Sequence, residues 1–369
     1  MMNFPGKYDK TLDNPELFVY NATGCNIKEN KMGDKAVNTI VDIARLAGVS
    51  KSTVSRALND SPLISTETRQ RIQSIARQHN FQLNVPAQCL SLKESRTIAF
   101  VTHACYVQQG YLIASPFLLE VIGGATAALS EKHYDLLMAF VDPKEALWPQ
   151  QYQNSGRADG FILMTSSRKH SLLKRLAEAK VPFIVWGNPL PDHNHCSVTG
   201  DDFTGGKLAT QHLIQSGRRR IAFIGGPADE LEVQRRYEGY CSALSDAGQP
   251  IDPALVTYGD FSFSAGAERM QYLLKQAPDL DAVFVNSDLM AISAMNLLHD
   301  LGYQIPGDVA VVGYDNISIA EQCYPQLTTV SQNIPLAGRL LAQNLIQYLH
   351  TGVVTNVSIP PRLVIRKSA

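Results

Sequence analysis

The sequence predicts an N-terminal all-α helix-turn-helix domain followed by a larger α/β regulatory body. Three observations carry this. Apolar residues recur at three- and four-residue spacing from Ile40 to Ala76, with Gly48 interrupting the first run. From Thr97 onward short apolar strands alternate with amphipathic helices. Charge is divided unevenly along the chain. Residues 37–93 hold seven basic and three acidic side chains, a net of +4, while residues 1–36 sum to zero and the remainder carries −5. The formal total of −1 over 369 residues therefore conceals a small basic module on an acidic body, the asymmetry of a nucleic-acid binder. On charge alone, an ordinary solvated helical face fits equally well.

Composition excludes several classes. A hydrophobic content of 45% is that of a globular chain, and no stretch reaches the roughly 20 apolar residues that span a bilayer. The first twenty residues carry Asp9, Asp13 and Glu16 without an apolar run, so no secretory signal is expected. Six cysteines without a CxxC pair point to a reducing compartment and no disulfide framework.

The basic module resolves into three helices. Thr39 is a good N-cap for a helix carrying Ile40, Ile43, Ala44 and Ala47. After Gly48, Ser50 caps a second helix with Thr53, Val54, Ala57 and Leu58. A third follows Ser65 and buries Ile72, Ile75 and Ala76. Two helices joined by a short Gly-containing turn form a helix-turn-helix, whose second helix enters the major groove. Lys51, Ser52 and Arg56 fall on its reading face, since Lys and Arg suit the acceptor pair of guanine. Thr53, Ser55 and Asn59 are placed to hold phosphates. A three-helix bundle with no DNA partner would need the same core.

Ile40 to Asn59 reads IVDIARLAGVSKSTVSRALN. This resembles the DNA-binding signature of the lactose-repressor (LacI/GalR) family of bacterial transcription regulators, and the resemblance runs from about Val37 to Arg366. It implies a hinge helix after the third helix. Phe81 stands for the family's aromatic and Asn84 is retained as a DNA-facing residue, whereas Leu83 replaces the usual proline. Leu90 matches the family's leucine that wedges into the minor groove from each protomer. Read without the resemblance, Leu90 is a packing residue. Pro86 sits in the first turn of that helix, where a missing N–H costs little. A helix of about ten residues is marginal alone and is expected to fold only when paired on DNA.

Strands are expected at Ile98–Val101, Leu136–Val141, Gly160–Met164, Phe183–Trp186, Ile221–Gly225, Ala282–Val285 and Val309–Val312. Helices are expected at Phe117–Glu131, Thr204–Ser216, Arg235–Ala247, Ala265–Gln276 and Leu289–Leu301. Strict alternation means parallel sheets covered on both faces, and the length of this body favours two lobes. The resemblance implies two Rossmann-like lobes of periplasmic-binding-protein type, with the chain crossing near Gly200, Ser331 and Ile359.

Ligands of such folds bind at the carboxyl ends of strands. By the resemblance, Arg236 is the arginine that grips the effector and Asp315, within Val312-Gly313-Tyr314-Asp315-Asn316, accepts sugar hydroxyls. Phe261 sits where the family stacks an aromatic on the ligand ring, and Ser287 occupies a place often held by Asn. Gln332, Ser115 with Phe117, and Trp186 with Asn188 complete the expected site. Residue chemistry alone leaves Arg236 as a surface ion pair, Asp315 as a strand-end cap and Phe261 as core.

No phosphate-binding glycine loop and no nucleophile elbow occurs. Gly123-Gly124, Gly205-Gly206 and Gly225-Gly226 are expected to be tight turns. His193-Asn194-His195-Cys196 has metal-ligand types but lacks a fourth ligand, so no metal and no cofactor is expected.

The expected domains are an extension at 1–36, disordered or lying before a true start at Met32; the helix-turn-helix domain at 37–83; a hinge and linker at 84–96; and the effector-binding and dimerisation body at 97–369. The expected function is that of a cytoplasmic, nucleoid-associated bacterial transcription repressor with three partners: a near-palindromic double-stranded DNA operator, a sugar or sugar-phosphate effector that controls operator affinity allosterically from the interlobe cleft, and a second copy of itself. Two alternatives are a regulator strengthened by a purine corepressor and a sugar-binding or sugar-modifying protein. No heptad run follows Arg366, so a dimer is expected without a tetramerisation coil.

Overall fold

The computed structural model describes residues 39–58, 60–81, 94–102, 115–141, 147–164, 170–188 and 195–369. These divide between two compact units, one within residues 1–84 and one within 85–369. Asn59, Asn84 and Leu90, the extension 1–36, the hinge as far as residue 93, and His193 with Asn194 lie outside the described residues.

In the first unit three helices follow the expected punctuation: α1 (Ile40–Ala47), α2 (Lys51–Leu58) and α3 (Thr66–Gln78). Thr39 and Asp42 form a reciprocal capping box, which satisfies two otherwise orphaned N–H groups. Gly48 ends α1 at φ 63°, a left-handed conformation that glycine adopts without a Cβ penalty. Ser50 Oγ accepts from Thr53 N at 3.1 Å to start α2, and Ser65 accepts from Thr68 N to start α3. Ile43, Val54, Ala57 and Ile72 are fully buried between the helices. Two arginines counted in the basic balance serve the fold: Arg69 donates to the carbonyls of Ser61 and Ile64, and Arg71 to that of Ala47.

The second unit contains two six-stranded sheets. The first is ordered β11-β5-β4-β3-β1-β2, with β1 (Thr97–Thr102), β2 (Asp135–Phe140), β3 (Gly160–Met164), β4 (Phe183–Trp186), β5 (Cys196–Gly200) and β11 (Asn356–Ile359). The second is ordered β12-β10-β9-β8-β6-β7, with β6 (Ile221–Gly225), β7 (Val256–Tyr258), β8 (Ala282–Val285), β9 (Ala310–Asp315), β10 (Thr328–Ser331) and β12 (Arg362–Val364). Lobe 1 is covered by α4 (Pro116–Glu131), α5 (Trp148–Asn154), α6 (His170–Glu178) and α11 (Ile334–Thr351). Lobe 2 is covered by α7 (Asp202–Gln215), α8 (Leu231–Asp246), α9 (Phe263–Gln276) and α10 (Asp288–Asp300). Each sheet is buried on both faces, which explains why its central strands are continuous apolar runs.

The chain passes between the lobes at Gly200–Asp202, Ser331–Ile334 and Ile359–Arg362, at the three expected crossings. Not every strand is parallel, however: β12 runs antiparallel to β10, pairing Val330 with Leu363. The reason is the connection. Only Pro360 and Pro361 separate β11 from β12, so no helix intervenes to return the chain for a parallel pairing.

Two of the three glycine pairs also differ from expectation, whereas Gly225-Gly226 marks the bend after a strand, as expected. Gly123-Gly124 lies within α4 and Gly205-Gly206 within α7, while Gly225 ends β6. In the two helical pairs the role is close approach rather than turning. A Cβ on Gly206 would overlap the Arg236 carbonyl of α8, and one on Gly239 would overlap the Phe203 carbonyl of α7. Gly124 of α4 and Gly338 of α11 make the same reciprocal arrangement in lobe 1. Backbone-to-backbone contact of this kind fixes each helix pair with little room for adjustment.

Candidate functional site

The first unit presents polar side chains on one helix. Lys51, Ser52 and Arg56 are exposed, Thr53 and Ser55 are half-buried, and Val54 and Ala57 face the core. The helical period separates the two sets. Ser50 Oγ lies 2.8 Å from both Ser52 Oγ and Thr53 Oγ1, so the N-terminal turn carries a linked group of hydroxyls. The helix thus offers N–H groups and hydroxyls at its start, and two cations along its exposed face, to a polyanion.

The second unit builds a different kind of site, around a buried guanidinium. Arg236 projects from α8 and is 6% exposed. Its Nε donates to Asp202 Oδ1 at 2.8 Å and its Nη1 to the Asn286 carbonyl at 2.9 Å. Its Cζ lies 3.9 Å from the ring centroid of Tyr314, whose hydroxyl is 3.3 Å from Asp202 Oδ1. Gly205 makes this possible, because a Cβ there would overlap the Tyr314 hydroxyl. Arg236 is thus a buried ion pair at the first crossing, not the surface pair that residue chemistry alone allowed.

Asp315 ends β9 beside this group, at φ 119°. Its Oδ1 accepts from Gln332 Nε2 at 2.7 Å, and Gln332 is packed against Gly200, where a Cβ would lie 2.8 Å from Oε1. A side chain of the second crossing and the glycine backbone of the first therefore meet at the end of β9. Behind them Asp288 accepts from Ile317 N at 2.9 Å and from the Thr329 hydroxyl.

Burial pushes the Asp315 carboxyl up to about 7, with Arg236 opposing the shift. Glu232, one helical turn before Arg236, is likewise raised to about 7 by burial and by the charge of Asp202. Burial also raises Asp202, against the pull of Arg236. Desolvation alone would depress Arg236, but Asp202, Tyr314 and Asp315 more than reverse this and hold it above its ordinary value. The 2.8 Å contact is that of a charge-assisted pair, so the ionised state of Asp202 depends on Arg236.

Other expected residues take definite places. Ser287 caps α10, its Oγ accepting from Met290 N at 3.3 Å. Phe117 and Trp186, from α4 and β4, bring their rings to 5.9 Å. Ser115 is the N-cap residue of α4, without a side-chain cap bond, and Asn188 is half-buried beyond β4 with Nδ2 unpartnered. Phe261 is not joined to the Arg236 group by any ring contact or hydrogen bond among the described residues. It adopts φ 67° and covers Gly226, packing on the lobe 2 core. His195 is buried in a stack with Phe183 at 5.3 Å, and Cys196 lies in β5.

Asp202, Glu232, Asn286, Asp288 and Tyr314 belong to this cluster and were not singled out from the sequence. Tyr314 stands inside the quoted Val312–Asn316 motif, and Asp288 directly follows Ser287. Asp202 follows Gly200-Asp201 as an apparent helix start, with no signal of its partner 34 residues away.

Comparison with known proteins places this geometry. The family model for bacterial regulatory proteins of the lacI family matches residues 39–84, and that for periplasmic binding protein-like domains matches residues 210–369. The HTH-type transcriptional regulator CelR of Thermobifida fusca is 37% identical over 332 residues, covering 89% of this chain and 95% of the relative. The ribose operon repressor of Haemophilus influenzae is 32% identical, covering 84% and 91%. Among solved structures, a complex of the transcriptional regulator CelR with cellobiose superimposes with a TM-score of 0.68 at 35% identity, covering 90% of this chain and 99% of that one. No helix among the described residues is long and apolar enough to cross a membrane. With a helix-turn-helix unit ahead of a two-lobed α/β body, and with relatives matched over most of their length, the chain belongs to the LacI family of DNA-binding transcription regulators.

Proposed function

We propose that the chain is a cytoplasmic, homodimeric repressor whose operator affinity is set by an uncharged sugar held between the lobes. The observation that carries this reading is the buried group of Arg236, Asp202, Asp315 and Gln332 at the strand ends where the lobes join. Carboxylates and a planar guanidinium suit vicinal hydroxyls. Charge narrows the class. The carboxyl groups of Asp202, Glu232 and Asp315 lie about a guanidinium that is already paired with Asp202, so this group of described residues leaves no free cation for a phosphorylated effector. The cellobiose in the related complex agrees with an uncharged ligand.

In this reading Lys51, Ser52 and Arg56 read base edges, with Thr53, Ser55, Asn59 and Asn84 on the backbone and Leu90 in the minor groove. Arg236, Asp315 and Gln332 anchor the effector. Phe117, Trp186, Asn188, Ser115, Ser287 and Phe261 shape its pocket. The assignment involves no reaction.

Coupling has a physical route. Asp315 and Asn316 both have positive φ, at 119° and 59°. They lead into Ile317, a lobe 2 residue buried in the lobe 1 core with Leu118, Val121 and Ile334. Ser318 N then donates to Glu120 of α4 at 2.7 Å. A ligand on Asp315 therefore pulls on a segment plugged into the opposite lobe, and a coupling of about 1–3 kcal/mol is typical of such transitions. Leu119 and Ile319 flank that contact and are 52% and 42% exposed, with Tyr324 nearby in sequence at 93%, which suits a dimer face.

The test is operator binding by the full chain, titrated with cellobiose, ribose, glucose 6-phosphate and hypoxanthine. Release of DNA by one of the uncharged sugars supports the reading. Release by the phosphate ester alone, or tighter DNA binding with hypoxanthine, would overturn it.

A further inference from the structure

A separate cavity of 340 Å³ lies beside the second and third crossings, large enough for a small metabolite. Arg236, Asp202 and Asp315 do not line it. Asp315 and Gln332 bond each other, whereas their neighbours Asn316, Ser331 and Asn333 line the cavity.

Cationic and N–H donor groups converge on it. Arg366 is fixed in place, donating from Nη1 to the Leu327 carbonyl at 2.8 Å and from Nη2 to Asn316 Oδ1 at 2.7 Å. Arg362, on β12, makes no ion pair or side-chain hydrogen bond among the described residues, yet it lines the same cavity. The third contributor is the start of α11, an 18-residue helix whose N-cap Asn333 makes no side-chain cap bond. Its first-turn N–H groups lack a side-chain acceptor, and its dipole favours negative charge there. Two carboxylates also line the wall. Glu120 is spent on the Ser318 N–H at 2.7 Å, and Glu321 is 63% exposed and 4.0 Å from Arg366.

We infer that this cavity is a second ligand site, for a phosphate-type oxyanion, distinct from the sugar site. Arg362 and Arg366 belong to lobe 2, while α11 belongs to lobe 1. A bound oxyanion would tie the two together beside the crossings and bias the angle between them, so the site gives the regulator a second chemical input.

Calorimetric titration of the full chain with inorganic phosphate, at constant ionic strength set by chloride, tests this. Saturable binding to one site per chain is expected. Arg362→Ala and Arg362→Gln should each weaken it about tenfold or more, the scale of one charge-assisted contact. Both changes are on an exposed strand residue, and unchanged thermal melts would show that the fold is kept. Glucose 6-phosphate, titrated in parallel, separates the sources. Tighter binding of the ester than of phosphate assigns a phosphorylated metabolite, and equal binding assigns the free anion. Absence of saturable phosphate binding, or binding that both Arg362 variants leave unchanged, overturns the inference.

Discussion

The reading helix and the effector cluster use the same residue types in opposite ways. On α2 the cations Lys51 and Arg56 stand exposed, with no ion pair among the described residues, on a helix whose fold depends on Val54 and Ala57. In the effector cluster Arg236 is buried, paired with Asp202 and stacked on Tyr314. The difference follows from the partner. A DNA duplex brings its own high charge density to an exposed face, so the protein's cations can wait in water. A small ligand brings only a few polar atoms, so the protein must hold its groups in place beforehand, and desolvated. Function and stability are therefore separable on α2 and bound together around Arg236.

The largest effect should come from Arg236→Ala. It leaves Asp202 buried without its cation, and breaking a buried pair costs about 3–5 kcal/mol. Chemical denaturation of the full chain should show this loss in the α/β body. A loss below about 1 kcal/mol would mean that the pair is not desolvated as the structure places it. Gly206→Ala comes next. The new Cβ meets the Arg236 carbonyl, and overpacking of this kind costs about 1–3 kcal/mol. It should also displace the Arg236 side chain, so effector response should fall with stability in the same variant.

On α2 the comparison predicts the reverse. Arg56→Ala should cost about 1–3 kcal/mol of operator discrimination, while stability changes by less than about 0.5 kcal/mol. Competition between a preferred duplex and random DNA measures the first, and a thermal melt the second. Loss of stability without loss of discrimination would place Arg56 in the fold.

The smallest effect is pH dependence. Asp315 is raised from its ordinary 3.8 to about 7 by burial, so the folded chain keeps a proton that the unfolded chain has released. Its contribution to stability is present below about pH 4, is lost as pH rises to about 7, and is constant above that. Asp315→Asn should flatten this part of the stability profile, leaving the similar part due to Glu232. An unchanged profile would show that Asp315 titrates normally.

The helix-turn-helix was legible almost residue by residue, because its signals are local. Thr39, Gly48, Ser50 and Ser65 act within four positions of themselves. The apolar strands Gly160–Met164 and Ala282–Val285 were equally plain, since burial on both faces leaves only one kind of residue. The strands β5, β10 and β11 were not. They read Cys-Ser-Val-Thr-Gly, Thr-Thr-Val-Ser and Asn-Val-Ser-Ile, polar because they lead into the crossings and bond one another, as Ser197 does with Asn356 at 2.8 Å. Arg236 and Asp315 stood out by motif, but Asp202 and Asn286 did not, because their partner is brought to them only by the packing of α7, α8 and β8. The same packing explains why Gly205 and Gly206 stand within α7 and not in a turn.

The most direct test of the separation between the two regions is an operator titration of Arg236→Lys, which keeps the charge but loses the planar fork. A labelled duplex selected by the wild-type chain from a random pool serves as operator, and the uncharged sugar that releases the wild type serves as effector. The account predicts operator affinity within about twofold of wild type and an effector response reduced about tenfold or more. A variant that responds to the sugar as the wild type does would contradict it.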